Sequence, residues 1–294
     1  MTNQNRLQFH TILVATDLRQ GGSSALRYAQ AIAARHQAVL VVVHVIDPVG
    51  YAFPQGAPDA AVADDAAGEE LRRIEEETRL QGIPIHSVIE TGVVYERILQ
   101  AVLDHHADLL VLGTRAKTGI GRSALGTVAR RLLAKAACPV LTVPPDADQP
   151  AGCWRRVLVA TDFSPASLSA LGHAQRIADE HLIVLHAPQQ PVDHACSREL
   201  EQLRFLAPFN ESHTVPVEHV VSSGEAGKVI AHHARDFNAD LVILGSPVDE
   251  LAEEDFHTST VLQVISAVTC PVLCVPSMEG SQVKVVEEEV AVSC

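Results

Sequence analysis

Short β-branched runs alternate along the chain with longer amphipathic segments. Runs such as "AVLVVVHVI" (Ala38–Ile46) are apolar at nearly every position rather than every second one, which marks strands covered on both faces. In the first half this pattern predicts strands near 11–16, 39–46, 84–89, 108–113 and 139–143, with helices near 23–36, 69–82, 94–106 and 124–137. Such strands, joined by crossover helices, make a parallel sheet. The expected fold is therefore α/β and doubly wound. Its ligands are expected at the carboxyl ends of the strands, where the strand order reverses.

The pattern occurs twice. "TILVATDL" (Thr11–Leu18) returns as "RVLVATDF" (Arg156–Phe163), "VVVHV" returns as "IVLHA" with His44 matching His186, "ADLLVLGT" as "ADLVILGS", and "CPVLTVP" as "CPVLCVP". A length of 294 residues with 47% apolar content suits two packed domains. They are expected at 1–146 and 154–278, joined by the Pro/Asp-rich linker 144–152 and followed by an acidic tail, 279–294. The linker is expected to be ordered and the tail frayed. The Ala/Pro/Gly-rich stretch 49–68, mostly lacking in the second copy, is read as a mobile loop over the ligand face, although a plain surface insertion fits its composition equally well. Each copy ends on an apolar strand that would be an exposed sheet edge if left alone. The two are expected to pair antiparallel as an internal pseudo-dimer. Further association into a homodimer is left open.

Charge refines this picture. The net charge of −14 is unevenly placed, with 14 Lys/Arg against 16 Asp/Glu in residues 1–150 and 8 against 20 in the remainder. This balance argues against a nucleic-acid partner. No apolar leader opens the sequence, and no uncharged run approaches the ~18 residues of a membrane span, so a cytoplasmic protein is expected. The six cysteines are scattered and read as buried free thiols. Cys270 and Cys274 flank an expected short strand, so side-chain alternation explains their spacing better than chelation.

The candidate chemistry lies at two strand ends. After Gly113 and Thr114 comes a loop with Gly119, Gly121, Arg115, Lys117 and Arg122, and Gly126-Thr127 then opens a helical run through Val128. Unpaired backbone N–H groups at such a helix start can hold phosphate. At the end of the first strand, Asp17 either accepts a hydrogen bond from a ribose or base, or caps the following turn or helix.

These motifs resemble the universal stress protein family in its tandem form, over about residues 9–144 and 155–276. Nucleotide-binding members carry Gly-x2-Gly-x9-Gly-Ser/Thr, and this chain reads Gly113-x2-Ala116-x9-Gly126-Thr127. The resemblance implies a Rossmann-like fold and an adenine nucleotide, ATP or AMP, with or without Mg²⁺. Its contacts would fall on Ala15, Asp17, Val45, Leu112, Gly113, Arg115, Ala116, Gly126, Thr127 and Val128. Ala116 stands where the family has its second glycine. If that backbone is left-handed, the Cβ costs about 1–2 kcal/mol.

The second copy departs further. Gly245 stands, but Val248 and Thr258-Ser259 replace the other motif positions, and Asp249, Glu250, Glu253, Glu254 and Asp255 fill the loop. Like charges oppose an anion there, so one nucleotide per chain is expected, in the first half. Asp162 is then a structural relic or a helix cap. His44 and His186 read as buried, hydrogen-bonded imidazoles, and the pairs His105-His106 and His232-His233 as solvated helix ends. No nucleophile-base-orienter set is visible. The expected role is nucleotide binding in stress response or signalling, with an unidentified protein partner. The alternatives are a slow ATPase and a scaffold that binds no nucleotide.

Overall fold

A computed structural model describes residues 6–18, 23–47, 60–114, 125–148, 150, 152–190, 198–208, 215–246 and 259–277. The first half contains β1 (Thr11–Ala15), α1 (Ser23–His36), β2 (Val39–Ile46), α2 (Ala60–Leu80), β3 (Ile85–Thr91), α3 (Val94–Asp104), β4 (Leu109–Gly113), α4 (Thr127–Lys135) and β5 (Val140–Val143). The second contains β6 (Trp154–Ala160), α5 (Pro165–Ile177), β7 (Ala178–His186), α6 (Arg198–Leu206), β8 (Val217–Val221), α7 (Ala226–Asp236), β9 (Leu241–Ser246), α8 (Thr260–Ala267) and β10 (Val272–Pro276).

The ten strands form one sheet in the order β3-β2-β1-β4-β5-β10-β9-β6-β7-β8. All neighbours are parallel except β5 and β10, which run antiparallel with Leu141 opposite Leu273. The two terminal strands thus cover each other's edges, and the buried Thr142 hydroxyl donates to the Val272 carbonyl across the seam at 3.2 Å. One consequence concerns direction. Because the seam is antiparallel, the carboxyl ends of the first half's strands share a rim with the amino ends of the second half's, so the equivalent faces of the two halves open at opposite rims.

Strand alternation sends Ile12, Val14, Leu40 and Val42 into one core and Leu13, Val41 and Val43 into the other. Helix α1 buries Ala25, Tyr28, Ala29, Ile32 and Ala33 against the first core, the i, i+3, i+4, i+7, i+8 stripe of a half-buried helix. Each core runs through both halves.

Helix α2 starts at Ala60 rather than near 69, which corrects the loop reading of 60–68; residues 48–59 lie outside the described residues. The composition looked loop-like because of its prolines, but the last of these is Pro58. Beyond it the alanines favour helix, and Ala67, Leu71, Ile74 and Thr78 make a buried face. Cys274 lies inside β10 and is buried, instead of flanking the strand. The linker is tied down: Ser24 donates to the Pro145 carbonyl at 2.8 Å, and the Tyr28 hydroxyl to that of Asp148 at 3.0 Å. The tail 279–294 lies outside the described residues. No described helix is long and apolar enough to cross a membrane.

Candidate functional site

In the first half the strand order reverses between β1 and β4. Ala15 is the Cα partner of Leu112 there, and of Val43 on the other side. Ala15, Val45, Leu112 and Val128 all pack into the same core, so these four candidates share one face of the sheet, the face covered by α3 and α4. Gly113 ends β4 beside Val143.

The turn after β1 is held by two residues that sequence reasoning underrated. Thr16 donates its N–H to the Val43 carbonyl at 3.0 Å, and its Oγ1 accepts the Leu18 N–H at 3.0 Å. His44 Nδ1 donates to the Thr16 carbonyl at 2.9 Å. Leu18 adopts φ 56°, and Asp17 between them is exposed. The second half repeats the device. Thr161 Oγ1 accepts the Phe163 N–H at 3.0 Å, His186 Nδ1 donates to the Thr161 carbonyl at 2.8 Å, and Phe163 has φ 66°. Both imidazoles are half-buried, not buried as expected, because each lies at the open end of its strand. The matched recurrence of His44 and His186 was the signal for this arrangement.

In the second half the turn just beyond the aspartate is braced by that aspartate. Asp162 Oδ1 accepts the Ser164 N–H at 3.0 Å. Burial raises its pKa, but hydrogen bonds from Ser164 and Ser167 outweigh that and hold the carboxyl below its ordinary value. The cap of α5 is Ser164, whose side chain accepts the Ser167 N–H at 3.3 Å, with Pro165 next in the chain. Asp162 therefore braces the turn and, through Ser167, the first turn of the helix that Ser164 caps. The residues matching this brace in the first half, 19–22, lie outside the described residues.

At the second strand end, Thr114 is buried and its N–H donates to the Val143 carbonyl at 2.9 Å. Helix α4 opens on Gly126 with φ −67° and ψ 158°, and no described side chain caps it. Thr127 is exposed. First-turn N–H groups left without a side-chain cap, at the positive end of the helix dipole, make an anion cradle. Arg115 and Ala116 lie outside the described residues, as do Lys117, Gly119, Gly121 and Arg122.

Gly245, the one motif glycine of the second half, has a packing reason. A Cβ there would lie 2.4 Å from the Ala166 carbonyl carbon and 2.5 Å from the Ser167 nitrogen. Strand β9 thus passes against the first turn of α5, so the glycine is required without any ligand. The acidic positions 249–255, with Val248 and Thr258, lie outside the described residues.

Two further carboxylates, Asp108 and Asp240, are structural in placement. Asp108 accepts the N–H groups of His10 and Thr11 at 2.7 and 3.2 Å, and Asp240 those of Arg155 and Arg156 at 2.8 and 3.1 Å, so each ties the start of one strand to its neighbour. Cys138, Cys270 and Cys274 are free thiols pushed up to about 12 by burial. Among the described residues no group of three or more His, Cys, Asp or Glu could hold a metal ion.

The model of the universal stress protein family matches residues 8–144 and 154–276. A universal stress protein of Thermus aquaticus is 36% identical over 140 residues, covering 46% of this chain and 98% of the relative. The crystal structure of a universal stress protein from Archaeoglobus fulgidus superposes with a TM-score of 0.71 at 20% identity, over 91% of this chain and 98% of that one. A universal stress protein solved in complex with cAMP matches 47% of this chain and 98% of its own, at 22% identity and a TM-score of 0.37.

Proposed function

Because the chain belongs to the universal stress protein family, with two of its domains in tandem, we propose that it binds one adenine nucleotide, ATP or AMP, in its first half. In this reading it acts in the cytoplasm as a nucleotide-responsive stress or signalling protein. The observation that carries the reading is the β1–β4 reversal, where Ala15 and Leu112 pair and Gly113 ends β4 on the half whose last helix opens on Gly126. Ala15, Val45 and Leu112 form apolar walls for the adenine, and Asp17 accepts a hydrogen bond from the ribose or base. Gly113, Arg115, Ala116, Gly126, Thr127 and Val128 surround the phosphates, with backbone N–H groups and the helix dipole favouring the anion. A bound Mg²⁺ would add countercharge to the phosphates.

Calorimetric titration with ATP and AMP tests this. The expected stoichiometry is near one, with affinity reduced by Asp17→Ala and Gly126→Val and scarcely altered by Asp162→Ala. Replacing Ala116 with glycine tightens binding if the backbone there is left-handed. Two equivalent sites, or dependence on Asp162 instead of Asp17, overturn the proposal. No binding at all would leave a scaffold, and steady ATP turnover by the purified chain would replace a binding role with a hydrolytic one.

A further inference from the structure

The sequence sets His105 beside His106, but the fold sets it against His86. His86 lies near the amino end of β3, the outer strand of the sheet, and His105 is the C-cap of α3. His86 Nε2 and His105 Nδ1 are 3.4 Å apart, with ring centroids 5.0 Å apart and planes inclined by 50°. That separation admits a long hydrogen bond between the two rings, of the same kind as the Phe9 N–H to His36 Nδ1 bond at 3.3 Å. It also matches the bite of a metal ion: two imidazole nitrogens at about 2.0–2.1 Å from a tetrahedral Zn²⁺ stand roughly 3.3–3.4 Å apart.

We propose that His86 and His105 are a two-nitrogen site for a divalent transition cation of the imidazole-preferring class, Zn²⁺ in the first instance. Two waters complete the tetrahedron, since no third described side chain joins the pair. The broad χ2 wells of histidine let both lone pairs turn onto one ion. The surroundings favour a cation. His105 sits at the negative end of α3, whose last turn holds no basic residue. Glu75 adds negative charge nearby but is engaged elsewhere: its Oε1 accepts the Ser87 N–H and hydroxyl, both at 2.6 Å, and its Oε2 accepts from Arg79 at 2.6 Å. The pair lies at the amino ends of β3 and β4, the rim opposite the proposed nucleotide site, and stands independently of it.

Titration of the full chain with Zn²⁺ in a weakly coordinating buffer is expected to show one site tighter than the background of the other histidines. Losing a group that merely hydrogen-bonds a metal ligand costs about 10–100-fold in metal affinity, so loss of one of two direct ligands in His86→Gln or His105→Gln should cost on the order of 100-fold or more. The His232→Gln control, which removes the exposed His232–Asp236 pair, leaves that site intact. In the unmodified protein, substoichiometric Co²⁺ should perturb the ring-proton NMR signals of His86 and His105 before those of any other histidine. Unchanged Zn²⁺ affinity in both Gln variants, or first perturbation at another histidine, overturns the proposal.

Discussion

His44 Nδ1 lies 2.9 Å from the Thr16 carbonyl oxygen, and since a carbonyl only accepts, the proton must sit on Nδ1. The end of β2 is thereby fastened to the turn that presents Asp17. Replacing His44 with Ala should cost about 0.5–1.5 kcal/mol of stability for the lost hydrogen bond, and should weaken nucleotide binding by loosening Asp17. His186→Ala removes the matching bond to Thr161. It should cost similar stability in urea denaturation yet leave calorimetric nucleotide affinity unchanged. An equal loss of affinity in both variants would show that the effect does not pass through the first turn.

Asp179 gathers charge from across the molecule. Its carboxylate accepts both Arg35 guanidinium nitrogens at 2.9 and 2.6 Å, the Trp154 N–H at 2.8 Å and a bond from Arg6, while Arg35 also donates to the Gly152 carbonyl at 2.7 Å. Burial works against the carboxylate, but the Arg35 and Trp154 bonds prevail and hold its pKa below the ordinary value. Arg35 belongs to the first half and Asp179 to the second, so the cluster clamps the two together. Asp179→Ala leaves the Arg35 guanidinium and the part-buried Trp154 N–H without their acceptor, at a cost of about 1–3 kcal/mol carried mainly by the N–H. Chemical denaturation checks the magnitude. A change within error would mean that water replaces the carboxylate freely.

Mild acid should weaken the fold through His36. His36 Nδ1 accepts the Phe9 N–H at 3.3 Å, which requires the unprotonated nitrogen, and its ring packs edge-on to Phe9 at 5.1 Å. Burial, then the charge of Arg35, depresses its pKa below the ordinary 6.5. The unfolded chain therefore binds this proton first. The contribution of His36 to stability is full above pH 6.5 and is lost as pH falls from there through the depressed folded value. Half-buried His173 shifts the same way. Melting temperature should decline between about pH 7 and about pH 5, with a shallower decline in His36→Gln, which keeps an acceptor but no titrating group. An identical slope in the variant would assign the decline elsewhere.

Gly245→Ala separates packing from ligand binding. Its new Cβ would meet the backbone of Ala166 and Ser167 at 2.4–2.6 Å, and backbone cannot step aside as a flexible side chain does. Overpacking of this kind costs about 1–3 kcal/mol or more. The variant should melt earlier while the protein that remains folded binds nucleotide with unchanged stoichiometry. Stability equal to that of the parent chain would mean that α5 can shift away from β9.

Much of the architecture is legible in the linear pattern because it depends on local periodicity. The almost wholly apolar run Val39–Ile46 marks a strand covered on both faces, the stripe Ala25, Tyr28, Ala29, Ile32 and Ala33 marks a half-buried helix, and the recurrence of "VATD" and "CPVL" marks two copies. The expected antiparallel seam of β5 and β10 came from the same source, since two apolar terminal strands have the strongest need of cover. The start of α2 was misplaced because a count of Pro and Gly over a window hides where the prolines stop.

The sequence by itself therefore determined the elements, their duplication, and the strand ends at which ligand chemistry is expected, all set by neighbours within a few residues. Tertiary structure alone decided that His105 meets His86 rather than His106, that Asp179 holds Arg35, and that Gly245 is shaped by Ala166. Those partners lie many residues apart and come together only through the order of strands in the sheet and the crossing of helices over it. Hydrophobic periodicity specifies which face a side chain takes, but not which distant side chain it will find there.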